Sequence, residues 1–208
     1  MYRPTVYIVD DDDAVRRSLA MWLGFRGLAT QVFDSAESFL AHVDGNCRGC
    51  AILDMQLGGM NGLQLQNRLA EKQIRLPVLF LTAHGDVPTA RNALKAGAFD
   101  FLEKPVDNDR LVEVVDAAIA RDERYWESER ESERVAERVA RLTSREREVM
   151  DLVVAGRHNR EIAVELGISA RTVEVYKARL MHKLDVRRIP DLVRLVQPLH
   201  EPTENTRH

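Results

Sequence analysis

The 208 residues predict an α/β doubly wound sheet of five parallel strands, followed by a helical linker and a small all-α domain. Three observations lead there. Over residues 1–120, short β-type runs alternate with segments whose apolar residues recur every three to four positions. Residues 121–141, RDERYWESERESERVAERVAR, are dense in charge and hold neither Gly nor Pro. From Leu142 onward every periodic segment has the helical period.

The strands are expected at 5–9 (TVYIV), 29–33 (ATQVF), 50–54 (CAILD), 77–82 (PVLFLT) and 99–102 (FDFL). Helices are expected at 14–25, 35–43, 62–72 and 87–96, with a fifth starting near Asp109. Five strands alternating with five helices call for a parallel sheet covered on both faces. Three strands are almost wholly apolar, as strands buried on both sides should be. The expected domains are 1–120, a charged helical linker over 121–141, a helical domain over 142–200 and a disordered tail over 201–208. In the linker Asp122, Glu129 and Glu133 interrupt the candidate heptad core, which favours a solvated helix over a dimeric coiled coil. In the helical domain Thr143 or Ser144 caps REREVMDLVVA and Gly156 closes it. NREIAVEL ends at Gly167, Ser169 caps ARTVEVYKARLMHKL, and Pro190 begins a last helix.

Composition bounds the function. Apolar residues make up 45% and charged residues 30%, which is ordinary for a soluble globular protein. There is no run of about 18 uncharged apolar residues, so no membrane span is expected. With no secretory signal pattern at the N-terminus, a cytoplasmic protein is expected. Cys47 and Cys50 form a lone CRGC without the second ligand pair a zinc site would want, and Cys50 opens an apolar run where a small buried residue fits. The net charge of −3 is unevenly distributed. Residues 1–120 carry 12 Lys/Arg against 16 Asp/Glu, whereas residues 141–200 carry 12 against 8. A polyanion partner is therefore expected for the third segment alone.

Residues 8–15, IVDDDDAV, place four carboxylates directly after a buried-looking strand. Adjacent like charges call for a cation or for solvent. In an open α/β sheet, ligands gather at the carboxyl ends of the strands. Strand 1 ends at Asp10 and Asp11, strand 3 at Asp54, strand 4 at Thr82, and strand 5 runs into Lys104-Pro105. Three acids, a hydroxyl and a lysine converge if the sheet forms. Carboxylates with water suit Mg²⁺, and lysine and hydroxyl suit phosphoryl oxygens. Asp12 and Asp13 are better read as helix N-terminal acids.

In the helical domain, NREIAVEL, GIS and ARTVEVYKARL give helix, short turn, helix. On the second helix Val173, Tyr176, Leu180 and Leu184 should bury. The other face shows Arg171, Val175, Ala178 and His182, bordered by Glu174 and Arg179, with Thr172 near its start. Such a face can enter a major groove, where Glu accepts from cytosine and Val touches a thymine methyl. Lys177, Lys183, Arg187 and Arg188 are placed for phosphates.

Together IVDDDDAVR, LDMQLGGMNG, FLTAHGD, KAGAFDFLEKP and LTSREREV…NREIAVELGISARTVEVYKARLMHKL resemble a FixJ-type two-component response regulator, over about residues 4–197. The resemblance implies a flavodoxin-like receiver followed by a LuxR-type helix-turn-helix domain. It implies that Asp54 is the phosphoacceptor, that Asp10 and Asp11 flank Mg²⁺, and that Gln56 offers the metal its backbone carbonyl. Thr82 and Phe101 match the switch pair, and Lys104 the phosphate-contacting lysine before a cis proline, Pro105. The implied partners are a sensor histidine kinase, duplex DNA, RNA polymerase and a second copy of the chain, dimerising on phosphorylation through Arg91, Lys95, Asp100 and the start of the fifth helix. Pro190–Val196 resembles the dimerisation helix of the DNA-binding domain. No turnover enzyme is implied beyond slow self-dephosphorylation. One departure is Gly58-Gly59, where the family often has Pro four residues past the phosphoacceptor, which predicts a looser loop.

Two other classes fit less well. A haloacid-dehalogenase-type phosphohydrolase would use Asp10-x-Asp12 but would want Gly-Thr close behind, where Ala14-Val15 stands. An RNA-binding output domain is disfavoured by the helix-turn-helix spacing.

Overall fold

Strand formation follows the apolar runs. In the computed structural model, which describes residues 3–83 and 87–200, they become β1 (Thr5–Val9), β2 (Ala29–Phe33), β3 (Gly49–Asp54), β4 (Val78–Thr82) and β5 (Asp100–Glu103). The expected tail over 201–208 and His84-Gly85-Asp86 of FLTAHGD lie outside the described residues. The connecting helices are α1 (Asp13–Phe25), α2 (Ala36–His42), α3 (Gly62–Glu71), α4 (Val87–Lys95) and α5 (Asn108–Ala140). The sheet order is β2-β1-β3-β4-β5 and every pairing is parallel. The chain first moves outward from β1 to β2, then returns to β3 on the other side of β1. That reversal is where such sheets open a crevice for ligands.

The period-2 alternation sorts the side chains into two cores. Tyr7, Val9, Ala51, Leu53, Val78 and Phe80 pack with Phe39, Leu65, Leu69 and Ala93 of α2, α3 and α4. Val6, Ile8, Cys50, Ile52, Leu79 and Leu81 pack with Leu19, Leu23, Leu111, Val115 and Ala118 of α1 and α5. All six residues of β3 are buried, as expected of a central strand. Cys50 is one of these core residues, and burial raises its thiol pKa far above the ordinary value.

The chain divides into two compact units between Trp126 and Glu127. The first includes the start of the segment expected as solvated linker. Asp122 is 3% exposed, and its carboxylate accepts 2.8 Å from the Gly49 N–H at the start of β3. Arg48 stacks on the Trp126 ring at 3.1 Å from its centroid, and Arg75 lies over Tyr125. Asp122 therefore interrupts the heptad stripe because it packs against the sheet, not because it faces water.

In the second unit the helices are α6 (Ser144–Val154), α7 (Asn159–Leu166), α8 (Ala170–Leu184) and α9 (Ile189–His200). Thr143 caps α6 in a capping box with Glu146, and Ser169 caps α8 by accepting from the Thr172 N–H. Gly167 terminates α7 in the left-handed conformation. Val149, Met150, Ile162, Val173, Leu180, Leu184, Leu192 and Val196 form the core. Among the described residues no helix is long and apolar enough to cross a membrane.

Gly62, which opens α3, is required by close approach. A Cβ there would lie 2.5 Å from the Asp54 carbonyl oxygen and 2.9 Å from Phe80 Cε1. Gly62→Ala is therefore expected to lose about 1–3 kcal/mol to overpacking, although alanine is the better helix former. Urea denaturation checks this, and a midpoint at or above wild type would contradict it.

Candidate functional site

Register alone assembles the first site. Val9 pairs with Leu53, so the next residues, Asp10 and Asp54, leave the sheet side by side. Asp54 pairs with Leu81, Thr82 follows it, and Thr82 pairs with Glu103, one residue before Lys104. Neighbouring strands are about 4.8 Å apart, so the side chains at these ends share one small volume. Asp10 is 2% exposed, Asp54 8% and Thr82 2%. The peptide between Lys104 and Pro105 is cis.

The Lys104 amine sits 2.6 Å from Asp10 Oδ2 and 3.4 Å from Asp54 Oδ1. Burial pushes the Asp54 carboxyl above its ordinary pKa; Lys104 opposes this and Asp10 adds to it. Burial also opposes the charge on Lys104, but the hydrogen bond to Asp10 and the two carboxylates outweigh it and hold the amine above its usual value. Asp11, by contrast, is exposed, and its Oδ2 lies 3.7 Å from where a Cβ on Gly58 would sit. Gly58 thus leaves room beside the acids, and Gly59 takes φ of 118°, which only glycine adopts readily.

Ligand oxygens of Asp10, Asp11 and Asp54 lie within 4.8 Å of one another. Opposite vertices of an octahedral shell with ligands at about 2.1 Å are about 4.2 Å apart, so a slight closure lets these hard oxygens share a divalent cation. The other two acids of the run have different work. Asp12 caps α1, accepting 2.8 Å from the Ala14 N–H, and Asp13 pairs with Arg17 at 2.7 Å. Gln56 follows the site in the β3–α3 loop and is exposed. Phe101, on β5, is partly buried against the core that contains Phe80.

Beyond Ala170 at its start, the exposed residues of α8 are Arg171, Glu174, Val175, Ala178, Arg179, His182 and Lys183, and Val175 is 43% exposed. Val173, Leu180 and Leu184 are fully buried on the opposite side and Tyr176 is half-buried. The face expected to meet a groove is thus the one that α6, α7 and α9 leave uncovered.

Two family models match the chain. Residues 6–116 match the response regulator receiver domain, and residues 140–196 match the bacterial regulatory proteins of the luxR family. The chain is 43% identical over 190 residues to the transcriptional regulatory protein FixJ of Bradyrhizobium diazoefficiens, covering 91% of this chain and 93% of that one. It belongs to the FixJ-type response regulators. It is also 44% identical to the C4-dicarboxylate transport transcriptional regulatory protein DctR of Rhodobacter capsulatus, over 92% of this chain and 98% of that one. Among solved structures it is similar to the response regulator StyR, with a TM-score of 0.83, 37% identity and coverage of 95% of this chain and 100% of that one. Full-length FixJ from B. japonicum gives a TM-score of 0.59 at 41% identity, covering 95% and 97%. The regulator therefore joins a receiver to a LuxR-type DNA-binding domain, and its relatives are transcriptional regulators, which makes a kinase and DNA its partner classes.

Several cations of the DNA-binding unit differ from the expectation of free phosphate contacts. Lys183 Nζ is 2.6 Å from Glu146, a carboxylate 3% exposed, and 3.4 Å from the Arg141 carbonyl. Lys183 above all, then the Thr143 N–H, hold the Glu146 carboxyl below its ordinary pKa. Lys177 Nζ donates 2.9 Å to Asn159 Oδ1, and Thr172 Oγ1 shares a 2.8 Å hydrogen bond with Ser169 Oγ. Arg188 is bonded twice to Asp191, at 3.0 and 3.2 Å, while Arg187 is exposed. Sequence reasoning missed Glu146 and Asn159. Glu146 is three residues after Thr143, a capping-box signal that fixes its backbone role but not its lysine partner.

Two expectations follow. Because burial raises the folded-state pKa of Asp54 above the unfolded value, the folded regulator binds that proton more tightly. Stability then rises as pH falls through the raised value. Without divalent cation, Asp54→Asn should be more stable than wild type at pH 7 in urea denaturation, with the gap narrowing on acidification towards pH 3.8. A wild type at least as stable at pH 7 would contradict this. Lys183→Ala leaves the Glu146 carboxylate buried and short of one partner, costing the DNA-binding unit about 1–3 kcal/mol. Exposed Glu174→Ala should cost under about 0.5 kcal/mol. Equal thermal shifts for the two variants would show that the Lys183–Glu146 pair contributes nothing.

Proposed function

We propose that Asp54 is the phosphoacceptor of this regulator, and that its phosphorylation controls dimerisation and DNA binding. The observation that carries this reading is the position of Asp54, buried at the end of the central strand, beside Asp10 and 3.4 Å from the Lys104 amine. An Asp54 oxygen attacks the phosphorus of a phosphohistidine on a sensor histidine kinase; the P–N bond breaks and the imidazole leaves. Asp10, Asp11, Asp54 and the Gln56 backbone carbonyl would hold Mg²⁺, which offsets the charge gathered around the phosphoryl group. Lys104 then bonds a phosphoryl oxygen, with little covalent chemistry left for the protein to perform. Beyond accepting the phosphoryl group, the regulator turns over at most by slow self-dephosphorylation.

Thr82, buried at the end of β4, is the hydroxyl that turns toward the new phosphoryl group, and Phe101 fills the space it leaves. The surface of α4, β5 and α5 changes with it, and Arg91, Lys95 and Asp100 make the receiver dimer contacts. Asp100 already holds Arg110 at 3.3 Å, which ties β5 to the start of α5. Dimerising the receivers raises the effective concentration of two DNA-binding units and increases affinity about 10²–10⁴-fold without new DNA contacts. Arg171, Val175, Ala178 and His182, bordered by Glu174 and Arg179, face the base edges; Lys177 and Arg187 contact the backbone. Asp191 competes with DNA for Arg188, and Glu146 for Lys183. RNA polymerase is the partner downstream, and the setting is cytoplasmic.

Acetyl phosphate labelling tests the acceptor. Asp54→Asn should lose all labelling, and Asp12→Asn should keep it, since asparagine also caps helices well. Equal loss in both would overturn the assignment. In analytical ultracentrifugation the phosphorylated regulator should be dimeric and the bare one monomeric, which requires phosphate to favour the competent state by about 5.5 kcal/mol for a shift from 1% to 99%. Thr82→Ala should take phosphate without dimerising; the same dimerisation constant with and without phosphate would refute the coupling.

A further inference from the structure

Arg16 stands in the first turns of α1, directly behind the acid run. Its side chain is 13% exposed, whereas that of its neighbour Arg17 is 81% exposed. One guanidinium nitrogen of Arg16 donates 2.7 Å to the main-chain carbonyl of Asp10, and the other lies 3.2 Å from Asp13 Oδ1. The Asp10 carbonyl belongs to the peptide unit that joins Asp10 to Asp11. Whatever fixes that unit sets the direction in which both side chains leave the backbone. Asp10 has further restraints, since Oδ1 accepts 2.9 Å from the Asp12 N–H and Oδ2 holds Lys104. Asp11 is exposed, so its direction depends far more on its backbone.

We infer that Arg16 is a positioning residue of the phosphoacceptor site. By clamping the Asp10–Asp11 peptide to α1, it holds the two acids where, with Asp54, they can share one divalent cation. The inference rests on the metal reading above. The plainer alternative is that Arg16 is an ion pair at a helix start, as Arg17 is with Asp13 at 2.7 Å.

The sign of a metal-binding change separates clamp from charge. Removing a cation beside three carboxylates strengthens their pull on Mg²⁺ by Coulomb's law. Removing a clamp weakens binding, and losing a residue that orients ligands typically costs about 10–100-fold in affinity. Isothermal titration calorimetry of the full chain with MgCl₂, without phosphodonor, reads this directly. Arg16→Ala should bind Mg²⁺ at least about tenfold more weakly, and Arg17→Ala within about twofold of wild type. Arg16→Lys keeps the charge but lacks the planar fork that reaches two oxygens, and should fall between them, at least about threefold weaker. It also serves as the deciding variant should Arg16→Ala not fold. Unchanged or tighter binding in the Arg16 variants, or an equal loss in Arg17→Ala, would overturn the inference while leaving the metal reading intact. A wild type that binds no Mg²⁺ would remove both.

Discussion

Lys104 Nζ lies 2.6 Å from Asp10 and 3.4 Å from Asp54, and the receiver can bury these two carboxylates only because that amine lies against them. The contact depends on the sheet more than on the loops. Asp10 and Asp54 come from β1 and β3, neighbours across the reversal of strand order, whereas Lys104 comes from beyond β5 at the edge. Between them β4 must carry a small residue at its end, and Thr82 is that residue. A strand register wrong by one position would turn Asp54 into the opposite core. The apolar packing that fixes register is thus also what keeps the acid and the amine together.

The same arrangement recurs on a smaller scale in the DNA-binding unit. Glu146 caps the start of α6 and is buried, and Lys183 reaches it from the last turn of the recognition helix. Asn159 and Lys177 join α7 to α8 in a similar way. Of these four groups only Glu146 is buried, and removing Lys183 would leave that carboxylate stranded. The two contacts tie α8 to α6 and to α7, the helices it packs on. Net basic charge in residues 141–200 is therefore not all available to a polyanion, because part of it is spent within the fold.

Much of this was legible in the chain. All five strands lie within a residue of the runs that predict them, the three central ones because strands buried on both faces show continuous apolarity bounded by polar loops, and the edge strands β2 and β5 through their β-type residues between turn signals. Asp10, Asp54 and Thr82 were readable because each directly follows or ends such a run, and Lys104 because it stands two residues beyond one, before Pro105. Partners brought together over distance were not readable. Asp122 meets Gly49 across 73 positions and Lys183 meets Glu146 across 37. In each case one partner looked like an ordinary solvated charge on a helix. Arg16 was hidden differently: it stands beside Arg17, and composition cannot distinguish a half-buried guanidinium from its exposed neighbour.

Phosphorylation of Asp54 is what we propose governs the DNA-binding unit. Genomic footprinting of the regulator and of its Asp54→Asn variant, each with and without a small phosphodonor, tests it most directly. Protected sites should appear or strengthen with phosphodonor for the wild type and stay unchanged for the variant. Footprints that are the same in all four samples would contradict the claim.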